Sequence, residues 1–451
     1  MTIVGDFAQF LSGIGDIEPE PIEKAKAAVL DLVTAAVAGA DAEGTIAAHK
    51  AASAVWKEGD AAVWFSDRRM SAPGAAFVNS TSASILDMDD GHRAAAGHPG
   101  ASIIPAVLAT AATHRCAPER ILTAIVLGYE IAVRVGSSRD FASLTTLVSG
   151  PWVGYGAAAA AAWLRGLDTQ AIEQAIAIAG TTAPNLSAIA YSKVMGNHIK
   201  EGIPWATATA LVAVELAAAG STGPVDLLDN ESLFNRNQLV DGLGSNWAIN
   251  GIYFKPYGCC RWAHSAIDAV LWLQSQHGIA AQNIETIEID TFSWALRLNN
   301  EVAPRTVESA QYSVPFCVAM ALTKGAGALV EVEPPQIADP ETLALARDVR
   351  LRVDPSFDAM FPQSVPARVR ITTRDSSMVR EVAAPLGEPT NPMDWTALQT
   401  KFRTVADRRL DEHCRDRFLT AFEDMKQGRL ESLLAALEMP LVRGSRQAKD
   451  A

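Results

Sequence analysis

Leu86-Asp87-Met88-Asp89-Asp90-Gly91-His92-Arg93-Ala94-Ala95-Ala96-Gly97-His98-Pro99-Gly100 crowds three carboxylates, two imidazoles and a guanidinium between two Ala-rich stretches. Such a density of titratable groups is poorly suited to a packed core. It suits an active-site wall, where ionisable groups must be close enough to perturb one another. Gly91 and Gly97 allow the turns a loop needs, and the flanks, Ala75 to Ile85 and Ala101 to His114, read as helices.

Outward from this loop the text is helical. Ile17 to Ala40 carries Pro and Glu in its first turn, apolar residues three and four apart, and Gly39 at its end, the marks of a helix. Pro118 to Val135, Gly156 to Arg165, Thr169 to Gly180 and Pro204 to Gly220 follow, the last closed by Gly-Ser-Thr-Gly-Pro. Glycine frees the backbone there and proline forbids continuation. The many alanines let helices approach closely, which predicts a compact helical bundle. Ala61 to Phe65 predicts a short extended piece.

Near Lys255 the texture changes. Ile284 to Thr291, Val349 to Val353 and Ala367 to Thr373 alternate apolar and polar residues, the period of a half-buried strand. Helices over Ser265 to Gln276, Ser313 to Lys324 and Asp339 to Asp348 fit beside them. Trp395 to Ala406 and Asp411 to Leu437 return to helix, and Arg443 to Ala451 reads as a frayed polar end. The predicted fold is mainly α: an all-helical domain over 1–264, completed by helices in 393–451, with a smaller α+β domain over 265–392.

The 451 residues exceed one ordinary core. A formal net charge of −13 excludes nucleic acid and an anionic membrane as partners. Cationic groups for an anionic ligand must therefore be gathered locally. No Ala-rich run reaches spanning length before Gly, Pro or charge. The N-terminus lacks a basic region followed by an apolar run, and the five cysteines have no zinc or disulfide spacing. The expected location is the cytoplasm.

Three further stretches offer chemistry. Asn197-His198-Ile199-Lys200-Glu201-Gly202 sets a lysine at a helix start, where the dipole opposes it unless an anion is bound. Phe254-Lys255-Pro256-Tyr257-Gly258-Cys259-Cys260-Arg261-Trp262-Ala263-His264 gathers Lys, Arg, His and Tyr at the domain junction, enough to hold two carboxylates by charge-assisted hydrogen bonds. Ser309-Ala310-Gln311-Tyr312-Ser313-Val314-Pro315-Phe316 leads into a helix. No strand, Gly-rich turn and helix succession offers a dinucleotide site, and no His-Glu-x-x-His offers a metal site. The simplest account has no cofactor and no metal.

The acidic residues, His92, His98-Pro99 and the apolar helix after them resemble the signature of the MmgE/PrpD family, as do Lys255-Pro256-Tyr257, Cys260-Arg261 and His264-x-x-Ile267-Asp268. That family includes 2-methylcitrate dehydratases, cis-aconitate decarboxylases and iminodisuccinate epimerases, all acting beside a carboxylate of a small di- or tricarboxylate. The resemblance implies a homodimer in which the α+β domain is a lid. It implies catalytic roles for His98, Asp87, Lys200 and Lys255, and substrate-binding roles for Arg261, His264, Tyr257, Asp90, His92 and Cys260.

Departures bear on the reaction. Phe316 stands where decarboxylase-like relatives carry a tyrosine hydroxyl, a histidine of theirs has no counterpart between Leu147 and Pro151, and Gly91 replaces a threonine. Losing groups that serve a leaving group favours plain proton transfer, so the expected reaction is epimerisation, with iminodisuccinate as candidate substrate. The alternatives are a hydro-lyase resembling 2-methylcitrate dehydratase, a cis-aconitate decarboxylase-like lyase, and a non-catalytic carboxylate-binding relative. In the epimerase reading His98 is the base, Asp87 orients it, and Lys200 and Lys255 stabilise the enediolate-like charge. His264, Lys200, Tyr257 or Cys260 supplies the second acid.

Overall fold

The structure, a computed structural model, describes residues 2–141, 143–144, 146–184 and 197–442. The fold is mainly helical with a smaller α+β part, as the patterns predict. One hydrophobic core runs from Ile3 to Phe254 and resumes from Met393 to Leu437. A second spans Tyr257 to Ile371.

The first core is built by helices whose small side chains permit backbone contact. Ala157 to Ala162 are all fully buried. Glu119–Ser137 crosses Gly150–Arg165 at Gly128 and Gly156, where a Cβ on Gly156 would lie 2.1 Å from the Gly128 carbonyl oxygen. Pro19–Gly39 crosses Ala72–Ser84 equally closely, since a Cβ on Gly39 would meet the Ser82 carbonyl at 2.1 Å. Trp395–Arg409 packs on Pro19–Gly39 and contributes Leu398, Phe402 and Val405 to this core.

In the second body the strands lie where the alternation puts them. Ile284–Thr291 pairs in parallel with Val349–Val353 and antiparallel with Ala367–Thr373. A fourth strand, Ser377–Val382, pairs antiparallel on the outer edge. It escapes sequence reading because only Met378 and Val382 turn toward the core, and Arg380 between them on the same face breaks the apolar alternation. His264–His277 and Val314–Lys324 pack against each other and against the sheet.

Other differences are local. The helix predicted from Gly156 begins at Gly150, because Pro151 is tolerated in a first turn. Asp411 to Leu437 is two helices, Glu412–Lys426 and Glu431–Leu437, separated at Gly428 with φ +83°. Only Ala61–Ala62 of the predicted extended piece is strand. Helices Ile3–Gly13 and Glu43–Val55 have no counterpart in the sequence reading. The predicted frayed end from Arg443 lies outside the described residues.

Two details fix the opening loop between the bodies. Gly91 and His92 pair with Tyr253 and Ile252, so the loop is stitched to the chain just before Lys255. Lys401, on helix Trp395–Arg409, donates to the Met88 carbonyl at 2.8 Å and to Asp31 at 2.7 Å, all within the interior.

Candidate active site

Helix Ala72–Ser84 ends before Asp87, which takes a left-handed φ of +55°. Lys200, Glu201 and Gly202 are left-handed in succession, with φ of +43°, +57° and +75°, immediately before helix Ile203–Ala218. Non-glycine residues adopt this region at a cost and concentrate at functional sites. These turns bring the Lys200 ammonium onto Asp87 Oδ1 in a direct hydrogen bond. From the other side Lys255 Nζ lies 3.2 Å from Asp87 Oδ2 and donates to the Asp87 carbonyl at 2.9 Å. Asp87 thus joins two ammonium groups that are 55 residues apart in sequence, and all three side chains are buried.

Burial alone would raise the Asp87 carboxyl. The Lys200 and Lys255 charges outweigh it and hold the group well below the usual range. For Lys200, burial opposes the charge, but Asp87, Tyr312 and Glu201 raise its affinity for a proton well above the ordinary value. Asp87 and Lys200 therefore stay charged across neutral pH.

His98 closes the cluster. Its Nδ1 lies 2.8 Å from the Asp90 carbonyl, which can only accept, so the ring carries a proton on Nδ1 and turns Nε2 toward Asp87 Oδ1, 3.7 Å away. Asp90 braces this geometry: it accepts from Tyr129 Oη at 2.6 Å and from the Gly100 amide at 3.1 Å. Burial pushes its carboxyl up to about 8, against the Tyr129 hydrogen bond and with help from Asp31 and Asp89. Ser149 accepts from the His98 amide at 3.0 Å and donates its hydroxyl to Glu201 at 2.8 Å. The strained turn that aims Lys200 therefore also fixes the histidine loop.

The structure brings together Asp87, His98, Lys200 and Lys255, with Asp90 supporting. The other residues expected to bind substrate are engaged elsewhere. Arg261 donates to Glu388 at 2.8 Å and to the Leu386 carbonyl at 2.8 Å, and Glu388 also pairs with Arg93. Both guanidiniums lie on the Tyr253 ring, 4.8 and 4.6 Å from its centroid. His264 receives Arg261 Nη1 at 3.0 Å on Nδ1, and its Nε2 is 3.2 Å from the Cys259 carbonyl. Burial, reinforced by Arg261 and Lys255, keeps it neutral, and both nitrogens are occupied, so it has no proton to supply.

Tyr257 donates to Asp268 at 2.8 Å. His92 pairs its backbone with Ile252, and burial lowers its imidazole to about 4. Cys260 lies within the field of Asp87 and Lys255, but burial raises its thiol, which remains protonated.

Tyr312 is the residue sequence reading missed. Its hydroxyl accepts from Lys200 Nζ at 2.9 Å. Phe316, to which the absence of a tyrosine had been tied, lies one helical turn further on in Val314–Lys324 and is fully buried in the second core. The site therefore does contain a tyrosine hydroxyl. The usable signal was position: Tyr312 precedes the cap Ser313, outside the apolar run that buries Phe316.

Asp87, Asp89 and His98 also turn one ligand-capable atom each to within 4.8 Å of one another. A cation there would adjoin the two ammonium groups already on Asp87, and that repulsion opposes it. Among the described residues, no helix is long and apolar enough to cross a membrane.

Comparison with known proteins agrees with this architecture. The MmgE/PrpD N-terminal domain matches residues 5–241, and the MmgE/PrpD C-terminal domain matches residues 257–427. A cis-aconitate decarboxylase of Aspergillus terreus is 26% identical over 437 residues, covering 88% of this chain and 87% of its own. The cis-aconitate decarboxylase-like protein oryM of Aspergillus oryzae is 26% identical over 435 residues, 88% of each chain. These relatives stand on the lyase side and lend nothing to the epimerase expectation in particular. With both domains matched in order along a mainly helical chain, this protein belongs to the MmgE/PrpD family.

Proposed function

We propose that the chain is a cofactor-independent lyase that acts on a small di- or tricarboxylate, cleaving a bond at a carbon next to a carboxylate. The observation that carries this reading is the buried Lys200–Asp87–Lys255 cluster, with His98 Nε2 turned toward it. Two ammoniums against one carboxylate leave an excess positive charge in a low-dielectric hollow, the environment that favours an anionic ligand and an enediolate-like intermediate.

In this reading Lys200 and Lys255 neutralise charge on the substrate carboxylate and on the carbon beside it. His98 moves the proton. For loss of carbon dioxide, the C–C bond breaks, its electron pair remains on the carbon, and His98 in its protonated form delivers a proton there. For loss of water, His98 removes the carbon-bound proton and the Tyr312 hydroxyl, polarised by Lys200, protonates the departing hydroxide. Decarboxylation is the preferred reading, because the similar proteins carry that name and the hydroxyl whose absence argued against it is supplied by Tyr312.

The test is a panel of di- and tricarboxylates, including cis-aconitate, in deuterium oxide. Carbon dioxide release with one deuterium in the product supports the decarboxylase. Water loss with a new ultraviolet absorbance turns the assignment to a hydro-lyase. Deuterium exchange with changing optical rotation and neither product restores the epimerase. Thermal stabilisation by the acids with no exchange marks a binding protein. The homodimer implied by the family belongs to the same proposal, and sedimentation equilibrium reads it.

A further inference from the structure

Asp89 has no task in the mechanism above, although it lies inside the cluster. Its side chain is fully buried, and among the described residues neither carboxyl oxygen has a hydrogen-bond partner. A carboxyl hidden from water without a partner costs free energy, so packing supplies no reason for it. Its Oδ2 is 3.5 Å from His98 Nδ1. The charged and titratable groups around the pair are otherwise engaged. Asp87 is held by Lys200 and Lys255, and Lys200 by Tyr312; Asp90 is held by Tyr129, and Asp31 by Lys401.

Because His98 keeps its Nδ1 proton on the Asp90 carbonyl, the proton it exchanges is the one on Nε2. When Nε2 is protonated the ring is a cation. The Asp87 charge is already offset by two ammoniums, and Asp89 is the neighbouring carboxyl still able to balance it.

Resting on the reading of His98 as the proton-transfer group, we propose that Asp89 is a positioning residue that acts through His98: its carboxyl on the Nδ1 side of the ring and Nε2 on the other titrate as one coupled pair, which holds a single proton exchanged with solvent. With that proton on Asp89, Nε2 offers a lone pair and can take a proton from carbon. With it on Nε2, Asp89 is the carboxylate that stabilises the imidazolium until the proton passes to the carbon that has lost carbon dioxide. Asp89 and His98 then regain one proton from solvent as product leaves. Decarboxylation consumes one proton per turnover, and no oxidant or reductant enters. Burial raises the Asp89 carboxyl while His98, Lys255 and Lys200 lower it, the balance a shared proton requires.

Asp89→Asn and Asp89→Leu in the full chain test this, first without substrate. A carboxyl raised on folding contributes stability at acid pH that is lost as pH rises. Both variants should therefore melt at or above wild type at pH 8, with the gap narrowing toward pH 5. Variants that melt below wild type at every pH would make Asp89 a structural brace and overturn the proposal. That result holds even if no polycarboxylate turns over, which would count against the proposed function alone.

With a substrate that turns over, Asp89→Asn should lower kcat by about 100-fold, the scale of acid–base assistance, and move the pH profile, while KM changes by less than about threefold. Wild-type kcat, or an unmoved pH profile, overturns the idea. Magnesium or manganese stabilising wild type but not Asp89→Asn would make Asp87, Asp89 and His98 a cation site and would also overturn it.

Discussion

Asp87 is the residue on which the site turns, because one carboxylate keeps two buried ammoniums compatible with the interior. Removing one partner of a buried ion pair strands the other charge, at roughly 3–5 kcal/mol. Asp87→Asn should therefore lose about that much stability in urea unfolding, together with activity. Were its role confined to catalysis, unfolding would be unchanged. His98→Asn should behave differently, retaining the fold while turnover falls by about 10²–10⁴, as measured by product release.

Asp90 tests the electrostatics by pH. Its folded carboxyl, pushed up to about 8, lies above that of the unfolded chain. The stability it lends is complete below the unfolded value and disappears as pH rises through about 8. Asp90→Asn should flatten the fall in melting temperature between about pH 4 and 8; an unaltered slope would refute the assignment.

Among the elements, the left-handed turn Lys200–Glu201–Gly202 couples two functional groups. It aims Lys200 at Asp87 and, through Glu201 and Ser149, holds the His98 backbone. Glu201→Gln keeps an acceptor for Ser149 and should retain kcat within about threefold, whereas Glu201→Ala should lose roughly tenfold, each lost hydrogen bond to a charged group being worth about 1.5–3 kcal/mol. Equal kcat for the two variants would show the link to be idle. The helix crossing at Gly128 and Gly156 belongs to the same scale. Gly156→Ala has no room, with 2.1 Å to a backbone oxygen, and should destabilise by more than the approximately 1–3 kcal/mol typical of overpacking. A melting temperature near wild type would mean that the helices separate easily.

Across the whole molecule, the site is held by contacts distant in sequence. Lys401 fastens the Met88 carbonyl from helix Trp395–Arg409, and Glu388 ties Arg93 of the opening loop to Arg261 of the junction. The neighbouring guanidiniums depend on that carboxylate, which they hold below the usual range despite its burial. Glu388→Gln leaves two cations on the Tyr253 ring without their counter-charge and should loosen the opening loop against the second body. Faster backbone hydrogen exchange over residues 91–93 and 252–254 is the expected reading, and exchange at the wild-type rate would dismiss the coupling.

The sequence by itself determined the helical first part, three of the four strands of the larger sheet to the residue, and the family, because periodicity and motif are local properties of the text. It also marked Asp87, His98, Lys200 and Lys255 as charged or titratable groups that packing does not explain. Tertiary structure decided which of them meet, because convergence depends on left-handed backbone turns at Asp87 and at Lys200 whose positions local periodicity does not reveal. It diverted Arg261, His264 and Tyr257 to Glu388, Arg261 and Asp268, since a buried polar group must take whichever partner the fold supplies. It also substituted Tyr312 for the hydroxyl sought at Phe316. One turn of helix separates those positions in sequence, but one precedes the helix cap and reaches Lys200, while the other points into the second core.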